Sequence, residues 1–207
     1  EEYNVHICKK DNLVYLASLK AASTYYKSVF VSNGWETMKF EDIDWHQHHV
    51  FGFISDPITR YLKALAEDYF NEETEQLVED PEFQDLLCKI VSRHRRQCFV
   101  LTYHSLPLSI TLGKYARQVD WIPLGEGSDR IFAKLCEKYN IALDFTLDTI
   151  DVHESNERKL SVYNNLKSLF GEGNYFRDLI LAQDIELYND VKSKINLDIS
   201  YFIFIPI

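Results

Sequence analysis

A loop of small and hydroxyl residues, Leu19-Lys20-Ala21-Ala22-Ser23-Thr24, stands between a short apolar run and a stretch of helix-forming residues. Such a loop presents backbone N–H groups, the positive end of a helix dipole and two hydroxyls to an anion. A nucleotide phosphate suits it well. The loop contains no glycine and lacks the Gly-Lys-Ser/Thr sequence with which ordinary ATPases and GTPases hold phosphate and magnesium. The residues therefore predict a phosphate-binding loop of a different type.

A second segment, Ser55-Asp56-Pro57-Ile58-Thr59-Arg60, follows another apolar run. Asp56 suits the position that caps a helix, and Pro57 suits the first helical turn because an N–H is not needed there. The segment therefore predicts a strand, a short connection and a helix. On these residues alone, Arg60 and Lys63 belong to the solvated face of that helix.

The order of strand, loop and helix recurs along the chain. Strands are predicted at residues 12–17, 50–54, 98–103 and 119–124, and helices at residues 23–31, from 57, 81–96, 128–139, 158–170 and 175–194. This alternation predicts an α/β fold of three layers, in which helices flank a central parallel sheet and ligands bind beyond the carboxyl ends of its strands. No linker or internal repeat is evident, so we expect a single domain over residues 1–207.

The charge of the chain limits the ligands that it can hold. Its 207 residues include 22 Lys and Arg against 32 Asp and Glu, a formal net charge of −10. Because nucleic acids and anionic membranes are bound by basic surfaces, we expect neither as a partner, and an anion must bind in a local pocket. No apolar run approaches the ~20 residues of a membrane-spanning helix, and the start of the chain does not resemble a signal peptide.

The cysteines and glycosylation motifs indicate a compartment. Cys8, Cys88, Cys98 and Cys136 lie far apart without a Cys-x-x-Cys pair, which favours free thiols over disulfides or a zinc site. The sequence has no Asn-x-Ser/Thr acceptor for glycosylation. We therefore expect a cytoplasmic protein.

Together, the first two segments resemble the motifs of the sulfotransferase family, in particular its carbohydrate-type branch. The Leu19–Thr24 loop is similar to the family's Pro-Lys-x-Gly/Ala-Ser-Thr loop, with leucine in place of proline. Asp56, Pro57 and Arg60 match the family's later Arg-Asp-Pro-x-x-Arg segment. The resemblance runs over roughly residues 13–191 and implies a P-loop-like fold. Looser likenesses follow in order at His104–Pro107, Asp120–Asp129, Val152–Asn156 and Asp184–Tyr188.

The resemblance implies transfer of a sulfuryl group from 3′-phosphoadenylyl sulfate to an acceptor hydroxyl, with adenosine 3′,5′-bisphosphate as product and no metal. Negative charge grows on the leaving phosphate oxygen, and a cation held there stabilises the transition state more than the ground state. We assign that role to Lys20. The hydroxyls of Ser23 and Thr24 and the backbone amides around Ala21 and Ala22 are the expected ligands of the 5′-phosphosulfate.

Two positions depart from the family's pattern. Ser55 stands where the family has an arginine that contacts the 3′-phosphate, and Lys63 stands where it usually has a phosphate-binding serine. A hydroxyl and a cation are both retained in exchanged places, so we expect Ser55 and Lys63 to bind the 3′-phosphate and Arg60 to belong to the same cofactor-binding site. The alternative is that the changes weaken cofactor binding and leave a non-catalytic nucleotide-binding or interaction module on the same fold.

A general base must take the proton of the acceptor, a role worth ~10²–10⁴-fold in rate. The histidine cluster before the second strand offers His46 and His48 as our candidates, because histidine is the residue type most suited to proton transfer at neutral pH. Their place before a strand, and not after it, counts against them. Glu36, Glu41 and His104 are the other choices. The cluster also suggests a metal site, but no carboxylate or thiol at a suitable spacing completes a ligand set, so we expect no metal.

The expected acceptor is a small molecule or saccharide, and the acidic surface favours a neutral or cationic one. The apolar end, Tyr201–Ile207, suits a last strand, a clasp on the core or the contact of a homodimer. A kinase of a related nucleotide-binding type is a third hypothesis, against which the missing Gly-Lys-Ser/Thr sequence argues.

Overall fold

The structure is a computed structural model that describes residues 7–69, 103–125, 127–145, 157–170 and 175–197. The chain divides into two compact units. Unit 1 lies within residues 1–56, 112–152 and 186–207, and unit 2 lies within residues 57–111 and 153–185. The helix predicted at residues 81–96, the strand predicted at 98–103 up to residue 102, and the apolar end at 201–207 lie outside the described residues. That residues 1–207 form a single domain stays a prediction.

The described part of unit 1 contains a five-stranded sheet in the order β3-β1-β2-β4-β5. Its strands are β1 (Ile7–Lys10), β2 (Leu13–Leu16), β3 (Glu36–Thr37), β4 (His49–Ile54) and β5 (Asp120–Pro123). β2, β4 and β5 run parallel, whereas β1 runs antiparallel to both of its neighbours. The α/β class is confirmed, but the expectation of a wholly parallel sheet is wrong, because the sheet is mixed.

The mixed direction comes from a tight hairpin between β1 and β2. The two strands are joined by Asp11 and Asn12 alone, with Lys10 paired to Leu13. Asp11 has a left-handed φ of 54°, a conformation that suits two-residue hairpins and that Asp tolerates better than most residues. Antiparallel strands need only such a turn, whereas parallel strands need a long crossover. The alternation of strands and helices predicts the parallel crossovers, but it does not predict the hairpin.

The described helices, in chain order, are α1 (Ser23–Ser32), α2 (Pro57–Tyr69), α3 (Leu108–Thr111), α4 (Ser128–Lys138), α5 (Glu157–Phe170), α6 (Tyr175–Ile180) and α7 (Ala182–Leu197). In unit 1, α1 and α4 pack on the sheet through one aromatic cluster. Tyr26 of α1 stacks on Phe53 of β4 with ring centroids 3.8 Å apart, and Phe132 of α4 lies 5.3 Å from the same ring. Both helices therefore cover the same face of the sheet.

Unit 2 is helical in its described residues. α2 and α5 bury apolar side chains such as Tyr61, Leu65 and Leu166 in a core of their own. The region predicted as one helix from 175 to 194 is two helices, with a turn at the fully buried Leu181. Within the part of the chain that the structure describes, no helix has the length and apolarity to cross a membrane.

Candidate functional site

The loop between β2 and α1 has a backbone shaped for an anion. Lys20 and Ala22 have left-handed φ values of 61° and 54°, whereas Ala21 between them is not left-handed. The N–H of Ala21 donates to the carbonyl oxygen of Ser18 at 3.1 Å, which closes a tight turn. Residues of alternating handedness direct successive N–H groups into one concavity, which is an anion-binding arrangement. The loop singled out from the sequence therefore has the backbone of such a nest, in which the N–H of Ala21 is already bonded to Ser18 and is not available to an anion.

Helix α1 adds its own N-terminus to this loop. Its cap residue, Ala22, forms no side-chain cap hydrogen bond, and the first turn contains no acidic residue. The first N–H groups of a helix have no partner inside the helix, and the helix dipole makes them partly positive. Ser23 is buried and Thr24 is half-buried at this end. The start of α1 therefore offers polar groups and positive potential to a negatively charged group.

The loop lies at the edge of the sheet where the three parallel strands end. Because β2, β4 and β5 run in one direction, the connections after them leave from the same edge. The N–H of Leu124, after β5, donates to the carbonyl oxygen of Ile54, the last residue of β4, at 2.8 Å. Ser55 follows directly. The fold thus brings Lys20 and Ser55 to the same edge within unit 1, the edge at which ligands of parallel sheets bind.

Two serine hydroxyls at this edge are buried without a hydrogen-bond partner among the described residues: Ser18 after β2 and Ser55 after β4. Ser18 is 1% exposed. A buried hydroxyl without a partner costs free energy, so each one requires an explanation. Because each oxygen has almost no accessible surface, a ligand at this edge can bond to it only if neighbouring atoms shift. The loop predicted from the sequence begins at Leu19 and does not include Ser18. The one indication of Ser18 in the sequence is that a polar residue closely follows an apolar strand.

Arg60 is a buried residue of unit 2. It is 2% exposed, its Nη2 donates to the carbonyl oxygen of Leu106 at 2.7 Å, and it lies 3.6 Å from Oδ2 of Asp184. Burial lowers the pKa of Arg60, and the Asp184 carboxylate opposes that shift. The guanidinium is thus used inside unit 2, and these contacts do not support a role in binding the 3′-phosphate. Lys63, further along the same helix, is exposed.

Asp184 holds the start of α3. Its Oδ2 accepts a hydrogen bond from the N–H of Leu108 at 2.7 Å, and its Oδ1 accepts one from the N–H of Ser109 at 2.9 Å. These are the contacts of a helix cap, supplied here by a residue distant in sequence. Arg60 and Asp184 therefore fix the segment from Leu106 to Ser109 between them. Asp184 belongs to one of the looser likenesses in the sequence, Asp184–Tyr188, but its role as the cap of α3 was not predicted.

The candidate bases His46 and His48 lie at the opposite edge of the sheet. Leu13 pairs with His49, so the turn before β4 meets the amino end of β2. In this turn the N–H of Asp44 donates to Nδ1 of His48 at 3.0 Å. The length of the strands, roughly 10–20 Å, separates this edge from the Lys20 loop. The structure does not bring these histidines to that loop.

The other candidate bases are divided between the units. In unit 1, Glu36 is exposed on the edge strand β3, and Glu41 is exposed in the short 3₁₀ helix Phe40–Asp42. His104 lies in unit 2, in the 3₁₀ helix Tyr103–Ser105. Within the described ranges, no three His, Cys, Asp or Glu side chains are placed to share a metal ion.

Comparison with known proteins gave no match to this chain, whether with protein families, with curated proteins or with solved structures. The chemistry of the site is therefore argued from its own residues and geometry.

Proposed function

We propose that this chain is a sulfotransferase, which binds 3′-phosphoadenylyl sulfate through the Leu19–Thr24 loop and transfers its sulfuryl group to an acceptor hydroxyl, with a saccharide as the expected acceptor. The observation that carries the proposal is the pair of left-handed residues, Lys20 and Ala22, directly before the uncapped N-terminus of α1. Such a backbone suits a phosphate or sulfate group held by amides. Lys20 adds a cationic side chain to the same loop.

In the proposed reaction, the bond between sulfur and the bridging oxygen of the donor breaks, and its electron pair remains on the 5′-phosphate. The loop amides and the dipole of α1 oppose this growing charge, and Lys20 adds a full positive charge. The hydroxyls of Ser23 and Thr24 hold the same group. The fold positions these donors before the reaction begins, so little free energy is spent on reorganising them.

Ser55, in unit 1, remains the proposed ligand of the 3′-phosphate, whereas Lys63 lies in unit 2. The buried hydroxyl of Ser55 has no partner among the described residues, and Lys63 is exposed. Arg60 is not proposed as a ligand of the cofactor, because Leu106 and Asp184 hold its guanidinium. The loss of that cation favours one other candidate function, a nucleotide-binding module that does not transfer sulfuryl groups.

Calorimetric binding of adenosine 3′,5′-bisphosphate tests the proposal. Lys20→Ala is expected to lower the affinity about tenfold or more, since a charge-assisted hydrogen bond is lost. Lys10→Ala is the matched control, because Lys10 is exposed at the end of β1 that lies beside the amino end of β2. Ser55→Ala is expected to weaken binding of the bisphosphate but not of adenosine 5′-monophosphate, which lacks the 3′-phosphate.

The outcomes separate the candidate functions. If the wild-type protein does not bind the bisphosphate, the sulfotransferase proposal fails. If it binds, and a broad panel of saccharides and small hydroxyl compounds accepts no sulfate from 3′-phosphoadenylyl sulfate, the non-catalytic module is favoured.

A further inference from the structure

The proposed transfer needs a base at the edge where β2, β4 and β5 end, and His46 and His48 lie at the other edge. Among the described residues, two carboxylates follow the parallel strands closely: Asp56 after β4 and Asp129 in the first turn of α4. Asp56 already takes part in an interaction within the chain. Asp129 is exposed and forms no hydrogen bond or ion pair with another described residue. Asp129 is therefore the carboxylate that is open to a substrate.

The packing of α1 and α4 brings Asp129 to the edge of the sheet at which the nest lies. Both helices begin at this edge and cover the same face of the sheet. Tyr26, about one turn into α1, meets Phe132, about one turn into α4, with ring centroids 5.6 Å apart. The first turns of the two helices are therefore neighbours, and one of them holds Ser23 while the other holds Asp129.

The electrostatics of Tyr26 agree with this placement. Burial raises the pKa of Tyr26 to about 12, and the Asp129 carboxylate adds to the shift. Because Coulomb interactions weaken with distance, this agrees with a position of the carboxylate near the side chain of Tyr26. Glu36 is less well placed, since β3 is separated from β2 by the whole of β1.

We infer that Asp129 is the general base of the proposed sulfuryl transfer, an assignment that rests on the proposed function. The acceptor oxygen forms a bond to sulfur, and the bond from sulfur to the bridging oxygen of the donor breaks. The electron pair of that bond stays on the 5′-phosphate, and the proton of the acceptor passes to the Asp129 carboxylate. The loop and Lys20 thus stabilise the leaving group, while Asp129 of the neighbouring helix α4 takes the proton of the acceptor.

Asp129→Asn tests the assignment, with Glu137→Gln as the matched control. Both substitutions change an exposed carboxylate of α4 into an amide, but Glu137 lies eight residues further along the helix, about 12 Å away. Asp129→Asn is expected to slow the release of adenosine 3′,5′-bisphosphate from 3′-phosphoadenylyl sulfate by about 10²-fold or more. Asp129→Glu is expected to restore part of the rate.

A second readout does not depend on an acceptor. Removing a negative charge beside the bound phosphate is expected to tighten binding of the bisphosphate by about two- to fivefold at low salt. The gain is expected to shrink as salt screens the repulsion. Glu137→Gln is expected to bind like the wild type.

Three results have distinct meanings. If the wild type does not bind the bisphosphate, the proposed function fails and the assignment of Asp129 fails with it. If binding depends on Lys20 but Asp129→Asn and Glu137→Gln both bind like the wild type, Asp129 is not beside the site and its assignment alone is overturned. The assignment is also overturned if Asp129→Asn turns over the donor at the wild-type rate.

Discussion

The guanidinium of Arg60 lies 3.6 Å from the carboxylate of Asp184, and both side chains are almost entirely excluded from solvent. Arg60 also donates to the carbonyl oxygen of Leu106, and Asp184 accepts from the N–H groups of Leu108 and Ser109. The attraction within a buried pair barely offsets the cost of removing two charges from water. The value of this pair for unit 2 therefore lies in the backbone that it holds.

Removing one member of this pair is expected to be costly. Arg60→Met leaves Asp184 as a buried charge without its partner, and we expect a loss of about 3–5 kcal/mol in the free energy of unfolding. Urea denaturation measures it. Lys63→Met, on the same helix but exposed, is the control and should stay within about 0.5 kcal/mol of the wild type. A loss below about 1 kcal/mol for Arg60→Met contradicts the role given to the pair.

Asp120 gives the stability a dependence on pH. Burial raises the pKa of Asp120 from 3.8 to about 6, although Lys138 and Lys194 oppose the shift. The folded state holds the proton of the Asp120 carboxyl group more firmly than the unfolded chain does. The contribution of this group to stability is therefore complete below pH 3.8 and is lost as the pH rises through about 6. We therefore expect the free energy of unfolding of Asp120→Asn to exceed that of the wild type by about 2–3 kcal/mol at neutral pH.

The measurement is urea denaturation of both proteins at neutral pH and in acid. Near the unperturbed pKa of an aspartate, about 4, the two curves should converge. An Asp120→Asn protein less stable than the wild type at neutral pH contradicts the prediction.

Gly52 in β4 has no room for a side chain. A Cβ at this position would meet the carbonyl oxygen of Leu16 on β2 and lie 2.9 Å from Cζ3 of Trp121 on β5. Leu16 contributes backbone there, which cannot move without breaking the sheet. Gly52→Ala is expected to destabilise the protein by about 1–3 kcal/mol or more, as overpacked cores do. Denaturant unfolding of purified protein checks this, and an unchanged midpoint would disprove the crowding.

Ala21 and Ala22 should respond in opposite ways to glycine. Ala22 has a left-handed φ of 54°, which costs an L-residue about 1–2 kcal/mol. Ala22→Gly removes this strain, so we expect unchanged or higher stability and intact binding of adenosine 3′,5′-bisphosphate. Ala21 is fully buried and not left-handed, so Ala21→Gly is expected to cost about 0.5–1 kcal/mol. Equal losses in thermal or urea unfolding contradict the backbone described for this loop.

Local signals in the sequence predicted several elements well. α1 begins at Ser23 and α2 at Pro57, as expected, because a proline in the first turn and the end of an apolar run act within a few residues. β1 and β3 were not predicted. β3 has two residues, and its pairing with β1 defines it. Such pairing depends on residues that meet only in the folded chain.

The candidate site likewise has features that the local sequence predicts and features that it does not. The position of the Leu19–Thr24 loop between a strand and a helix follows from its residue types, but the handedness of Lys20 and Ala22 does not, because neither is a glycine. The burial of Arg60 was also unpredictable, since arginine normally stays in water unless it is paired. Its partner, Asp184, lies far along the chain, and the residues around Arg60 do not indicate the pair.

The hairpin of β1 and β2 also orders the steps by which unit 1 forms. Its two-residue turn closes locally, and hairpins form in about 1–10 μs. The parallel pairs, in contrast, join residue 13 to 49 and residue 51 to 120, so long stretches of chain lose entropy before these contacts repay it. We therefore expect the hairpin to form before the parallel pairs, so that β2 is already paired with β1 when β4 docks on it.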